Sequence, residues 1–150
     1  CETRLAVGSP VAGLKTLNRI EQVLAKSECL PTGAFEGLTL DADGRLICGT
    51  MSNVFVVRNS RIATPTLERC GVAGIMRQFV LDLLEKQGTD VEVCDLEWDD
   101  LVAADEVFIT NSQMGLVPVQ RCNHQKWEIG GVTRDVMKLL ATNGIAECRV

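Results

Sequence analysis

The sequence predicts one domain in which helices and strands are mixed, of the α/β or α+β class. Its 150 residues suit a single domain, and 46% of them are apolar, enough to bury a substantial core. Short β-branched runs bounded by turn residues occur between segments whose apolar residues recur at helical spacing. No internal repeat or shift in composition divides the chain. We therefore treat residues 1–150 as one structural unit.

The first half of the chain predicts one helix and two hairpins. Apolar residues recur at helical spacing between Leu14 and Leu24, which indicates an amphipathic helix over residues 15–28. Asp43-Gly44 and Asn59-Ser60 are turn pairs, and the Asp-Gly pair supplies the positive φ that a tight reversal requires. The hairpin strands are expected at residues 36–40 with 45–48, and at 54–58 with 61–64.

The second half predicts a helix from Ile75 to about Lys86, with Gly88 as its left-handed cap. A short helix should follow Asp99 and reach Ala104, because Asp is a preferred N-cap residue. Further strands are expected at residues 91–94, 106–110 and 117–119. The last helix is expected over residues 134–141, capped by Thr133 and ended by Asn143-Gly144.

Charge and hydropathy exclude several classes of partner. The chain carries 20 acidic and 15 basic residues, a net charge of -5, and its basic residues form no run that could follow a nucleic-acid backbone. No apolar stretch approaches the roughly 18 residues of a membrane span, and no signal segment opens the chain. We expect a cytoplasmic protein that binds neither nucleic acid nor membrane.

Seven cysteines are spread along the chain without a C-x-x-C pair, and there is only one histidine. A zinc site is therefore not expected, and reduced thiols packed as small apolar groups are. The chain opens with Cys1 rather than Met, and its first residues look like the end of a strand. We expect a fragment of a longer protein.

Two loops have the chemistry of anion sites. Residues 71–74 (GVAG) lead directly into the helix that begins at Ile75, where free backbone N–H groups and the helix dipole favour a phosphate. Thr110-Asn111-Ser112 offers small polar side chains at a strand end. An ordinary strand-to-helix turn and an ordinary polar turn explain the two loops equally well.

Lys15 is the candidate nucleophile. It lies between Leu14 and Leu17, where partial burial would lower the pKa of its amine and let it attack an aldehyde. The alternative is a lysine whose amine simply extends to water.

Four blocks carry a family resemblance: residues 12–23 (AGLKTLNRIEQV), 49–55 (GTMSNVF), 71–78 (GVAGIMRQ) and 104–112 (ADEVFITNS). In their order and spacing they resemble the fold-type IV pyridoxal phosphate enzymes, the class IV aminotransferase family, and within it the aminodeoxychorismate lyases. The resemblance implies the large C-terminal domain of such an enzyme, with mixed sheets in a pseudo-barrel and flanking helices. It also implies a homodimer, and a small N-terminal domain that is absent from this chain.

The resemblance implies roles for residues in each block. Lys15 matches the lysine that joins pyridoxal 5'-phosphate covalently and then moves protons as base and acid. Three turns match those that surround the cofactor, two at its phosphate and one at its ring. The residues at these positions are Gly74, Ile75 and Met76 at the helix start, Asn111 and Ser112 in the second phosphate turn, and Ser52 and Asn53 at the ring.

Cys48 departs from the family pattern, which has a glutamate against the pyridine nitrogen. A carboxylate keeps that nitrogen protonated, whereas a thiol, with a reference pKa of about 8.5, is a weak hydrogen-bond donor. Transamination needs the charged ring more than an elimination that is driven by aromatisation. The expected reaction is therefore conversion of 4-amino-4-deoxychorismate to 4-aminobenzoate and pyruvate, in folate synthesis. The alternatives are a D-amino acid or branched-chain aminotransferase, or a non-catalytic member of the family.

Overall fold

The computed structural model describes residues 1–145 and residue 148, and it contains two mixed sheets, a small hairpin and four α-helices. The helices are α1 (Ile20–Cys29), α2 (Ile75–Lys86), α3 (Trp98–Val102) and α4 (Gly131–Thr142), with a 3-10 turn at Leu30–Thr32. The strands are β1 (Arg4–Leu5), β2 (Leu38–Asp41), β3 (Arg45–Gly49), β4 (Asn53–Arg58), β5 (Arg61–Pro65), β6 (Val91–Cys94), β7 (Leu96–Glu97), β8 (Glu106–Asn111), β9 (Gly115–Pro118), β10 (Arg121–Cys122) and β11 (Gln125–Lys126). The predicted mixed class is confirmed.

The larger sheet has the strand order β6-β5-β4-β8-β9, and the smaller one has the order β1-β2-β3-β7. Each sheet contains one parallel pair, β5 with β6 and β1 with β2, and is otherwise antiparallel. Side chains of β4 and β8 alternate between two cores, as the two-residue period of a strand requires. Phe55 and Phe108 stack in the core beneath α2 and α4, while Val54 and Ile109 face the core shared with the smaller sheet.

Both predicted hairpins are confirmed. The β2–β3 hairpin turns at Gly44, and the β4–β5 hairpin turns at Asn59 and Ser60, whose φ angles of 50° and 62° are those of a two-residue turn. The helix at Ile75–Lys86 has the predicted bounds, and Gly88 follows it with a φ of 73°. Local turn and cap chemistry therefore determined these elements.

The predicted start of the first helix is wrong, because α1 begins at Ile20 and Lys15 lies in the loop before it. Backbone hydrogen bonds hold the chain at Gly13, which has a φ of 79° and bridges to Val72. From this bridge, residues 14–19 continue as a loop to the first residue of α1. Leu17 is fully exposed, so no burial favours a helical turn there.

The predicted caps of α3 and α4 are also wrong. Glu97, rather than Asp99, caps α3 through a reciprocal capping box with Asp100. Helix α4 begins at Gly131, and the buried Thr133 hydroxyl has no hydrogen-bond partner among the described residues. The cap of α4 comes from the distant Glu106, whose carboxylate accepts the N–H groups of Val132 (3.2 Å) and Thr133 (2.7 Å).

We expect Glu106→Ala to lower the free energy of unfolding by about 2 kcal/mol, because it removes two charge-assisted hydrogen bonds from a buried helix start. Thr133→Val is the matched control and should leave stability unchanged or slightly raised, since the Thr133 hydroxyl is unpartnered. Urea denaturation with equal m-values measures both. An equal loss in the two variants would assign the cap to Thr133 after all.

Within the described residues, no helix combines the length and the apolar character needed to cross a bilayer.

Candidate cofactor site

The candidate site lies where β4 begins and β8 ends. Asn53 and Thr110 are direct partners in the β4–β8 ladder, and both lie on the face that carries Phe55 and Phe108. The next residue, Asn111, donates from Nδ2 to the Met51 carbonyl at 3.1 Å. The turn before β4 and the turn after β8 are thus joined across the sheet.

The N-terminus of α2 lies against the start of β4. Gly74 is its N-cap residue, and no side chain of the described residues caps the first N–H groups of the helix. Asn53 donates from Nδ2 to the Val72 carbonyl at 2.8 Å, so it holds the loop that leads into α2. A Cβ atom on Gly74 would overlap the Oδ1 atom of Asn53. Glycine therefore allows the helix start and Asn53 to approach closely.

The loop that carries Lys15 is attached to the same place. The Gly13 N–H donates to the Gly71 carbonyl (3.1 Å), and the Ala73 N–H donates to the Gly13 carbonyl (2.8 Å). Lys15 therefore follows, by two residues, a backbone bridge to the segment that opens α2. The predicted partial burial of Lys15 is wrong, because its side chain is exposed. The flanking Leu14 and Leu17 are exposed too, so they do not bury the amine.

The turn before β4 is organised by Glu36, a residue that the sequence did not single out. Its carboxylate accepts the N–H groups of Thr50 and Met51, both at 3.1 Å, and also the Thr50 hydroxyl. The Ser52 hydroxyl donates at 2.8 Å to Oε2, the same oxygen that accepts the Met51 N–H. One carboxylate thus satisfies most donors of the turn. The glutamate lies 14 to 16 residues from these partners, so no local pattern indicates its role.

Ser52 and Ser112 differ in exposure. The Ser52 side chain is buried, and its hydroxyl donates to Glu36. Ser112 is exposed, in a turn where Asn111 Oδ1 accepts the N–H groups of Gln113 and Met114, both at 2.9 Å. The structure brings Ser112 to the site edge through Asn111.

Cys48 lies on β3 with 5% of its surface exposed, and its sulfur is 3.5 Å from the Thr39 hydroxyl. Burial raises the pKa of the Cys48 thiol, and this effect outweighs the Thr39 hydrogen bond, the charge of Arg19 and a backbone hydrogen bond from Val72. The thiol is therefore protonated at neutral pH. Because the Cys48 sulfur contacts the Val72 backbone, Cys48 lies beside the Gly13–Val72 bridge that precedes Lys15.

The donor set of the site fits an anion such as a phosphate. The uncapped start of α2 offers the free N–H groups of Ile75 and Met76. Thr110 is fully buried, and its Oγ1 atom has no hydrogen-bond partner among the described residues. A buried hydroxyl without a partner is costly, so an acceptor supplied by a ligand would satisfy it.

Arg77, in the first turn of α2, adds a buried positive charge. It is 7% exposed and donates to the Thr64 hydroxyl (3.3 Å) and the Pro65 carbonyl (3.0 Å). Burial lowers the pKa of Arg77, and no carboxylate pairs with it among the described residues. The local potential at the helix start is therefore positive.

A family model for amino-transferase class IV matches residues 1–122, which include every segment of the site. The chain belongs to this family. The class IV assignment explains why the four blocks of the sequence converge on one helix start. It also confirms the resemblance that those blocks indicated.

Known members of the class IV family support the assignment. An aminodeoxychorismate lyase of Vibrio harveyi is 42% identical over 146 residues, which cover 95% of this chain and 54% of that protein. The crystal structure of 4-amino-4-deoxychorismate lyase from Pseudomonas aeruginosa matches with a TM-score of 0.92 and 41% identity, over 97% of this chain and 54% of that one. An aminotransferase of Brucella abortus, solved with bound PLP, matches with a TM-score of 0.77 and 30% identity, over 81% of this chain and 44% of that one. The chain thus spans about half the length of these relatives.

Proposed function

We propose that this chain is the large, cofactor-binding domain of a pyridoxal phosphate lyase that converts 4-amino-4-deoxychorismate to 4-aminobenzoate and pyruvate in folate synthesis. The observation that carries the proposal is the convergence of four separate segments at the start of α2, with the Lys15 loop bridged to it through Gly13. Two relatives at 42% and 41% identity bear the lyase name, which favours this reaction over its sisters.

The phosphate of the cofactor would be held by the N–H groups of Ile75 and Met76 and by the turn at Asn111 and Ser112. This assignment is supported by the uncapped helix start and by the unpartnered Thr110 hydroxyl. When bound, pyridoxal phosphate supplies an aldehyde that condenses with amines and a ring that withdraws electrons.

The Lys15 amine is the base and acid of the proposed reaction. Its Nζ atom would remove the proton from the substrate ring carbon that bears the amino group. After a proton is returned, the enolpyruvyl group leaves as pyruvate. The ring then becomes aromatic, which supplies much of the driving force. The exposed position of Lys15 leaves its amine free to change partners during these steps.

Asn53 and the backbone at Ser52 would line the cofactor ring, and Cys48 would face the pyridine nitrogen. Because burial raises the pKa of the Cys48 thiol, that neighbour is neutral and gives the ring nitrogen no negative charge. This favours elimination over amino transfer. An aminotransferase is the second candidate, favoured by the Brucella abortus relative.

A homodimer is part of the proposal. The Lys15 loop and the first half of α1 expose five apolar side chains, those of Leu14, Leu17, Ile20, Val23 and Leu24. A second copy of the protein would cover such an apolar surface beside the active site. The relatives are about twice as long as this chain, so the activity proposed here is that of the complete protein, including a small domain.

The decisive experiment measures products from 4-amino-4-deoxychorismate with the complete protein loaded with pyridoxal phosphate. Equal amounts of 4-aminobenzoate and pyruvate are expected. Exchange of the amino group between D-alanine or a branched-chain amino acid and a keto acid, without release of pyruvate from the chorismate derivative, would overturn the lyase in favour of an aminotransferase. Absence of cofactor absorbance would favour a non-catalytic family member.

We expect Cys48→Glu to raise the lyase rate by about tenfold, or about 1.4 kcal/mol in the barrier, and to raise amino transfer more. A carboxylate at this position, with Arg19 nearby, would stabilise the protonated form of the ring nitrogen and make the ring a stronger electron sink. A pH titration of cofactor absorbance reports the protonation state of the ring nitrogen independently of turnover. Cys48→Ala is the control, and a lyase rate that is unchanged or lower in Cys48→Glu contradicts the argument.

A further inference from the structure

Two cysteine sulfurs meet above the backbone of Gly37, away from the cofactor site. The Sγ atoms of Cys1 and Cys29 each lie 2.5 Å from the point that a Cβ on Gly37 would occupy, so they are separated by no more than twice that distance. Both thiols also donate to the Ala25 carbonyl, at 3.4 Å and 3.6 Å. The missing side chain of Gly37 provides the space that the two sulfurs share.

The backbones that carry these thiols are held together by other contacts. The backbone nitrogen of Cys1 donates to the Leu38 carbonyl at 2.9 Å. Glu28, next to Cys29, accepts the N–H of Thr3 at 2.9 Å and the Thr3 hydroxyl. Hydrogen bonds from Thr3 lower the pKa of Glu28 to about 2, so the Glu28 carboxylate that holds Thr3 is charged at neutral pH. The two cysteines therefore stay near each other while their side chains rotate.

A disulfide requires sulfurs about 2 Å apart, on backbones already brought within several ångströms. The two sulfurs here are separated by no more than about twice 2.5 Å, so the proposed bond needs both thiols to turn toward each other about their Cα–Cβ bonds. Both cysteines line a groove of about 800 Å³ that also includes Thr32, Phe35 and Arg121. Cys1 is only half-buried, so a small disulfide can reach it from this groove.

We propose that Cys1 and Cys29 form a dithiol modification site that reacts with low-molecular-weight disulfides of the glutathione class. The Cys1 thiolate attacks one sulfur of oxidised glutathione, forming a mixed disulfide and releasing one glutathione thiolate. The Cys29 thiolate then attacks the Cys1 sulfur, which forms the Cys1–Cys29 bond and releases the second glutathione thiolate. The two protein thiols are oxidised, glutathione disulfide is reduced, and two protons go to solvent.

Selectivity follows from the surroundings of four other cysteines. Burial raises the pKa of each of their thiols, that of Cys70 to about 11, so little reactive thiolate is present at neutral pH. These cysteines are Cys48, Cys70, Cys94 and Cys122. The disulfide would tie the segment before β1 to the last residue of α1. This site is independent of the cofactor and of the proposed lyase activity.

The test treats the purified native protein with a glutathione redox buffer, then quenches it with acid, alkylates free thiols and maps peptides by mass spectrometry. A Cys1–Cys29 peptide pair lighter by two hydrogens is expected as the dominant linkage. Cys94→Ser should leave this linkage unchanged, and Cys1→Ser should leave Cys29 alkylated. Cys1 found only as a stable glutathione adduct, or a linkage no more abundant than other pairs or formed only in urea, would overturn the proposal.

Discussion

Lys15→Ala is expected to lower the rate of pyruvate release about a thousandfold or more, the largest effect of any single substitution in the candidate site. The variant lacks the amine that joins the cofactor and moves the proton, and positioned proton transfer alone contributes roughly 10²–10⁴ to an enzymatic rate. The loss should appear in kcat. It should also abolish the borohydride-stable link between cofactor and protein, which mass spectrometry detects without any turnover.

Two controls separate this chemistry from charge and folding. Lys15→Arg keeps a cation at the position but removes the nucleophile, because a guanidinium does not lose its proton in proteins, so it should be as inactive as Lys15→Ala. Lys86→Ala removes an exposed lysine from the far end of α2 and should leave the rate unchanged. Substantial activity in Lys15→Ala would remove Lys15 from the mechanism and assign the proton transfers to another residue.

The fold explains why an exposed lysine can still be well placed. Its backbone is fixed by the Gly13–Val72 bridge, which is itself held by the hydrogen bond from Asn53 to Val72. Asn53 in turn is part of the β4–β8 ladder at the centre of the larger sheet, and the side chains of these two strands pack into both cores. The loop, the helix start and the sheet thus share one rigid framework, which precise positioning of a catalytic group requires.

The sequence predicts those parts of the fold that local chemistry controls. The φ preferences of Asn59 and Ser60 predict their turn. The apolar spacing and the Gly88 cap predict the helix at Ile75–Lys86, and both elements occur where expected. The four blocks also indicate the family correctly, because the family match covers all of them. Their roles in binding a cofactor stay predictions.

Where the sequence misleads, a distant contact overrides a local signal. The apolar residues before Ile20 have helical spacing, yet a backbone bridge to Val72 holds the preceding loop in another conformation. Thr133 is a good local cap, yet Glu106 from β8 occupies that role. Glu36 has no local signature at all, because its partners come from the turn after β3. Only the tertiary structure brings such pairs together.

Gly74→Ala is expected to weaken the binding of pyridoxal phosphate about 10- to 100-fold. The Gly74 backbone has ordinary extended angles, φ -70° and ψ 140°, so alanine causes no backbone strain. Its Cβ would instead overlap Asn53 Oδ1 and push the start of α2 from the sheet. Overpacking of this kind costs about 1–3 kcal/mol, and each 1.4 kcal/mol is a factor of ten in a dissociation constant.

Gly131→Ala provides a control, since Gly131 also lies at the start of a helix, as the first residue of α4, but no atom of the described residues lies within 4 Å of a built Cβ there. Titration with pyridoxal phosphate and with pyridoxal, which lacks the phosphate, separates the two causes of weaker binding. If α2 holds the phosphate, Gly74→Ala lowers affinity for the phosphorylated form far more than for pyridoxal. An equal loss for both ligands, or wild-type affinity in Gly74→Ala, would mean that the phosphate binds elsewhere.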